Sequence, residues 1–565
     1  MTSTNWKFAI GTAVVLSVIT SVPQFLLCYE RGTAWNGAHA YTDPDEFVYA
    51  AYVNALIDGR PRRNDPYSGA DGAPFETLFS IQFIPPYSIA LPARILHLSA
   101  SQAFIILLPL VTVSSSLILF IFLFEFTRDA AISAAGTIGV LCLGMFAAQT
   151  PWESPPVPFA FPFLRRYVPA FAFPLFFAFA LLIWRSLVKR SMWAAAFAGL
   201  MLVILIYSYF FIWTAAVCWL LTLTLLWICA RPNDYRIISE VIGIVAFAAI
   251  AALVPYVWLV AHRAPGLDQT HLLEFTHRPK LFTGPEVYGM VILMGLAIFR
   301  RHLSPWREPK SLFVWSFILT PYLLFNQQVL TGRSLQVFHY QWYIGNYLLL
   351  TGLFLALGLV RRPLPKRLPL YVASGALLIG SILSIRFAAQ TLNTNVEIDK
   401  GRAVALALKG RDGVVFANRP LTHTIAATAS IPVLWSEYLY VFSPADPEHR
   451  RLRFFKYLYY AAVTDQNLRA ALASDNSVRG EVFGTDRANP ILTIVSQPIS
   501  EQDIEEAVDQ YKVFCSSFSR AEAATPTLSY AVVKSDEDLS NLDKWYRREA
   551  DYNTDSFIIY RLTLK

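Results

Sequence analysis

Eleven apolar runs divide the first 388 residues, and most approach the roughly 20 residues that a helix needs to cross about 30 Å of hydrocarbon. They predict transmembrane helices over 8–27, 103–124, 131–150, 168–187, 192–209, 211–229, 237–260, 286–300, 311–325, 343–360 and 368–388. The block 192–229 is too long for one span and divides at Tyr207 to Phe211. The run 8–27 follows Lys7 like a signal peptide, but it lacks a small-x-small cleavage site and reads as an uncleaved first helix. Over 75–98, Pro85, Pro86 and Pro92 with Glu76 and Arg94 predict a re-entrant or interfacial helix.

Composition shows where this pattern stops. Only 15% of the chain is charged, against about 25% in soluble proteins. The charged residues become common after residue 389. The expected architecture is therefore an α-helical polytopic membrane domain over 1–388 and a soluble α/β domain over 389–565. In the second domain, helices are expected at 401–408 and 500–516, with strands at 413–417, 491–495, 528–533 and 556–562.

The net charge of +7 does not point to nucleic acid, because the basic residues gather in short inter-helix loops. These loops hold Arg185, Lys189 and Arg190; Arg231 and Arg236; Arg300, Arg301, Arg307 and Lys310; and Arg361, Arg362, Lys366 and Arg367. With Lys7 they fall on one side of an eleven-span count, which the positive-inside rule makes the cytoplasm. The 125–130 loop departs from this, with Arg128 between Glu125 and Asp129. The N-terminus is then cytoplasmic. The long segments 28–102, 151–167, 261–285, 326–342 and the C-terminal domain lie outside.

The external segments hold the chemistry. Tyr41-Thr42-Asp43-Pro44-Asp45-Glu46 places three acids within four positions, just beyond the first span. Asp43 and Pro44 suit a helix start, and Asp45 and Glu46 suit its first turn. Capping accounts for one or two of these acids. A carboxylate there can also act as base for a sugar hydroxyl, a poor nucleophile until its proton is accepted. A neighbouring acid could raise that base's pKa or hold a divalent cation against a phosphate leaving group. Arg62 and Arg63 lie on the side where basic residues are disfavoured, which suggests a lipid headgroup or phosphate ligand, or a solvated turn held by Pro61 and Pro66. In 151–167, Trp152 and Glu153 precede Arg165, Arg166 and Tyr167. The arginine pair suits a phosphate, or the residues snorkel. Gln327, Arg333 and His339 sit among amides and aromatics, as in a carbohydrate-and-phosphate surface. Interfacial belts account for Trp342 and Tyr343. His262, His271 and His277 are too unevenly spaced to assign a metal site, and the five cysteines fit neither a metal knuckle nor a disulfide framework.

The stretch Asp45-Glu46-Phe47-Val48-Tyr49-Ala50 resembles the first external loop of the GT-C superfamily, polytopic glycosyltransferases that use polyprenyl-phosphate-linked sugars. The layout of spans, large first loop and C-terminal domain is similar as well. The resemblance implies a GT-C-like fold in the bacterial inner (plasma) membrane. It also implies a polyprenyl-phosphate sugar donor and a glycan, lipid or protein acceptor outside the cytoplasm. Asp45 matches the acid that deprotonates or orients the acceptor, Glu46 matches its partner, and Asp43 is an additional acid. Arg166, Arg333 and His339 are candidates for the donor phosphate. The chain has no oligosaccharyltransferase Trp-Trp-Asp signature, which argues against transfer to asparagine. No cofactor is assigned beyond the divalent cation the acids could hold. The competing expectation is a transporter or flippase for a lipid-linked or amphiphilic solute, with an assembly scaffold as a third.

Overall fold

A computed structural model of the protein describes residues 3–150, 161–264, 273–361, 364–419, 421–444, 446–489, 496–554 and 556–565. Trp152, Glu153, His271, Arg362 and the strand expected at 491–495 lie outside them.

Every run expected to span the membrane contains a helix. Seven are long and apolar enough to cross: Ala100–Thr127, Ala130–Ala147, Ala172–Lys189, Phe210–Ala230, Pro232–Ala261, Val337–Leu359 and Leu368–Ala407. The first expected span is a pair, Ser3–Thr20 and Val22–Ala34, bent by 47°, which makes an eighth. The other three, Met192–Ile206, Gly284–Ile298 and Pro309–Leu324, have 15, 15 and 16 residues. At 1.5 Å per residue they reach about 22–24 Å, short of the hydrocarbon thickness. Among the described residues the protein is thus a largely α-helical, multi-pass bundle with seven or eight helices of membrane length. The expected eleven exceeds that number because it includes the apolar runs 192–209, 286–300 and 311–325, whose helices are too short to cross the hydrocarbon unaided. The 75–98 segment forms a short helix, Ile84–Ile95, with Pro92 inside it.

Outward faces of the bundle are apolar: Phe247, Ile250, Val254 and Val257 project from Tyr235–Ala261. Inside, small residues permit close helix contact. A Cβ on Gly139 would come within 2.2 Å of the Phe354 ring, and one on Gly144 within 2.0 Å of the Tyr347 ring. Both rings belong to Asn346–Ala356. Gly144→Ala is therefore expected to destabilise the protein by about 1–3 kcal/mol, the usual cost of overpacking, seen as a lower thermal unfolding midpoint in detergent.

Residues 388 and 389, where the composition changes, lie within one helix, Leu368–Ala407. The expected helix at 401–408 is the end of this element. Beyond it, strands β3 (Val414–Ala417), β4 (Leu528–Val533), β5 (Tyr546–Asn553) and β6 (Ile558–Leu564) form a sheet in the order β3-β4-β6-β5. β3 and β4 are parallel, and the other pairs are antiparallel. β5 and most of the helices between β3 and β4 were not anticipated, although Asp446-Pro447, Thr464-Asp465 and Asp475 are helix-start signals. Helix Glu501–Ser517 starts at a capping box between Ser500 and Asp503.

Alternation along the strands divides this sheet between two cores. Phe416, Ala531, Val533 and Leu562 pack with Trp435, Tyr460 and Tyr511. Val415, Ala417, Val532 and Ile559 belong to the apolar cluster that runs on into the membrane bundle. A small antiparallel pair, β1 (Leu273–Phe275) with β2 (Arg333–Leu335), ties the 261–285 segment to 326–342.

Candidate functional site

The loop over 35–44 is held by the C-terminal part of the Leu368–Ala407 helix. Asn395 accepts from the Tyr41 backbone N–H at 2.7 Å and donates to its carbonyl at 3.0 Å. Asp399 is fully buried and accepts from Arg31 Nε at 2.8 Å, Asn36 N at 3.0 Å and Ala38 N at 3.2 Å. Arg402 donates to the Asn36 carbonyl, Ser101 and Thr428. These three polar residues lie on one helical face beyond the end of the apolar run, at i, i+4 and i+7.

The loop leads into helix Asp45–Ile57, with Pro44 at its start. Asp43 Oδ1 accepts from Asp45 N at 2.8 Å, so the expected capping is present. From Glu46 to Leu56 every residue of this helix is buried, as befits a helix that is apolar nearly all round.

The three acids have separate environments. Glu46 is fully buried beside Arg166. It accepts from Arg166 N at 2.6 Å and Nη1 at 3.4 Å, and from Thr42 N at 2.8 Å. Every partner is a donor, which suits a carboxylate. Burial pushes the Glu46 pKa up, opposed by Arg166. Arg166 also donates to the carbonyls of Ala40 and Phe104. This pair locks the loop and does not face solvent.

Arg165 takes the other two acids. Its Nε donates to Asp43 Oδ1 at 3.2 Å, and an Nη donates to Asp45 Oδ2. The guanidinium lies 5.4 Å from the Tyr49 ring centre and 5.5 Å from that of Tyr343. Nη1 donates to the Tyr209 hydroxyl at 3.3 Å, which lies 3.4 Å from His339 Nδ1. Asp43, Asp45, Arg165, Tyr209 and His339 therefore form one connected chain. Burial raises the Asp43 pKa; Arg165 opposes that shift and Asp45 reinforces it. The Asp45 side chain is 47% exposed, against 13% for Asp43, so Asp45 is the acid an incoming molecule meets.

The aromatic side of the site continues into the C-terminal region. Phe47 lies 5.3 Å from the His423 ring, and His423 lies 5.0 Å from Tyr438. His423 Nε2 is 3.2 Å from Glu437.

Other expected ligands lie elsewhere. Arg62 is committed to Glu76 by two contacts of 2.7 Å. Arg63 is exposed. Gln327 donates to the Arg333 carbonyl at 2.9 Å, and the Arg333 guanidinium stacks on Phe275 at 5.8 Å. Among the described residues no hydrogen bond or ion pair joins these four to the Asp43–His339 chain. No group of three His, Cys, Asp or Glu side chains is arranged as metal ligands among those residues. Arg165 supplies the positive charge between Asp43 and Asp45.

Tyr49, Tyr209 and Tyr343 were not anticipated as site residues. For Tyr209 a signal existed: Tyr207-Ser208-Tyr209 interrupts an otherwise apolar block. Arg165→Lys keeps the charge but cannot span two carboxylates. It is expected to lower the thermal unfolding midpoint, because the buried Arg165 side chain bridges two carboxylates. No protein-family model and no curated protein matches the chain.

Proposed function

We propose that the protein is a GT-C-like glycosyltransferase that moves a sugar from a polyprenyl-phosphate donor to an acceptor hydroxyl outside the cytoplasm. The observation that carries this reading is a half-exposed carboxylate, Asp45, held by Arg165 beside Tyr209 and His339. Asp45 accepts the proton of the acceptor hydroxyl as its oxygen bonds to the glycosidic carbon. The carbon–oxygen bond to phosphate breaks, the electron pair leaves with the phosphate, and direct attack inverts the carbon. Arg165 and Tyr209 donate toward the phosphate, and Arg63 and Arg333 attract it from solvent. In this reading the eleven helices follow the topology expected above, with the acid loop and the C-terminal sheet outside. The isoprenoid tail stays in lipid, which explains why such a site would sit on a membrane bundle.

The test is incubation of proteoliposomes with radiolabelled polyprenyl-phosphate sugars and cell-envelope acceptors. A new glycosidic product is expected. Movement of the headgroup to the opposite leaflet without a product would establish the flippase instead. Cysteine labelling is expected to place positions 45 and 339 on the same, external face; labelling from opposite faces would end the proposal.

The buried Asp43 also gives a pH dependence. As pH falls, Asp43 takes up a proton above the ordinary aspartate value of about 3.9, and Arg165 loses one of its two anions. Turnover should therefore fall on the acidic side, starting at a higher pH than for a solvated carboxylate. Asp43→Asn should remove that limb of the profile.

A further inference from the structure

A cavity of about 430 Å³ lies away from the acid cluster, where the turn after Asn64 meets the C-terminal region. Its size is in the range ordinarily filled by small ligands. The turn is firmly attached: Val433 N donates to the Tyr67 carbonyl at 2.9 Å. Gly69 has φ +78°, and a Cβ there would approach Pro432 to 2.6 Å.

The polar wall includes Asp65, Ser68, Tyr440, Asp446, His449 and Arg453. The acids are already engaged. Asp65 accepts from the backbone of Tyr67 and Ser68 and from the Ser68 hydroxyl. Asp446 caps helix Pro447–Tyr460 through His449 N. The donors are not all engaged. Tyr440 is only 6% exposed, and its hydroxyl has no hydrogen-bond partner among the described residues. A buried hydroxyl in that state is costly unless a ligand completes it. Arg453 uses Nε and one Nη on the Leu434 and Val433 carbonyls, which leaves Nη1 without a protein partner among the described residues.

We propose that this cavity binds a sugar carrying a carboxylate or phosphate, as a second contact for the glycan acceptor. The choice of a sugar over any other anion rests on the transfer reading above. The anionic group would meet Arg453 and Tyr440, and the sugar hydroxyls would lie along the rest of the polar wall. The turn that closes the cavity belongs to the same external loop as Asp45, so an acceptor held here is held against the loop that carries the base.

Saturation-transfer NMR on the full chain in detergent, with glucuronate, glucose 6-phosphate and glucose as probes, tests this. A signal from one or both anionic sugars is expected, with glucose giving little, and the stronger anion identifies the natural group. Tyr440→Phe should weaken binding about tenfold and leave thermal stability equal or higher, because it removes an unsatisfied hydroxyl. Arg453→Gln should abolish the signal. Equal binding of glucose, silence from both anionic sugars, or an unchanged signal in Tyr440→Phe would overturn the proposal. Asp45→Asn should keep the sugar signal. Lost transfer in that variant without any sugar signal sinks the cavity alone. Retained transfer with a Tyr440-dependent signal sinks the catalytic reading alone.

Discussion

Purified Asp45→Asn protein should retain the polyprenyl-phosphate sugar and transfer it about 10²–10⁴-fold more slowly, the usual loss when a general base is removed. The substitution is nearly isosteric. The cap of the Asp45–Ile57 helix uses the Asp45 backbone N–H, not its side chain, so helix geometry should persist. Arg165 keeps Asp43 as an ionic partner, and the Asn carbonyl can still accept from it. What disappears is a solvent-facing oxygen able to take a proton. Asp43→Asn is the necessary comparison, because Asp43 shares the same guanidinium but is far less exposed. It should slow transfer less at neutral pH and act chiefly on the pH profile. Single-turnover assays with labelled donor, alongside donor binding by filtration, separate the two. Full activity in both variants would eliminate a base in this loop.

The second large effect concerns folding. Glu46→Gln should destabilise the protein by about 3–5 kcal/mol, the range found when one partner of a buried ion pair is removed. Glu46 and Arg166 are both fully buried, and Glu46 accepts from three N–H groups. An amide converts one of those acceptors into a donor that faces another donor, and Arg166 is left without its anion. The expected readout is a lower thermal midpoint and poor recovery from the membrane. The double variant Glu46→Gln with Arg166→Met should recover part of the loss, since the uncompensated charge is gone. A Glu46→Gln protein as stable as the parent would show that the pair contributes little. These outcomes also divide the acid motif, because the proposal gives Asp45 the rate, whereas Glu46 holds the loop's shape.

Much of this molecule is legible in its residue order. Apolar run length located the helices, since a bilayer demands that each backbone group be satisfied within its own segment. Strand β4 falls at the residues that alternation predicts. Asp43, Asp45, Glu46, Arg165, Arg166 and His339 are close together in space, although they come from three separate stretches of the sequence. The separate roles of Asp45 and Glu46 were hidden, because two adjacent carboxylates differ only in what the fold packs around them. Tyr209 lies 44 residues from Arg165, and a contact over that separation leaves no local trace. The helix from Leu368 to Ala407 reads as two pieces because hydropathy falls midway, although nothing breaks the backbone there. Arg62 looked available for a phosphate until Glu76, fourteen residues on, proved to hold it.

That 40-residue helix runs about 60 Å, twice the hydrocarbon thickness. It works as a mast. Its lower part stands among the lipid tails, while Asn395, Asp399 and Arg402 near its top grip the strand of chain that leads to the carboxylates. The carboxylates are thus levelled against the protein's own spar and not against the headgroups. Under the proposed transfer reaction, a thicker bilayer would raise the donor phosphate while Asp45 stayed put, which would make membrane thickness a control on how well the two meet.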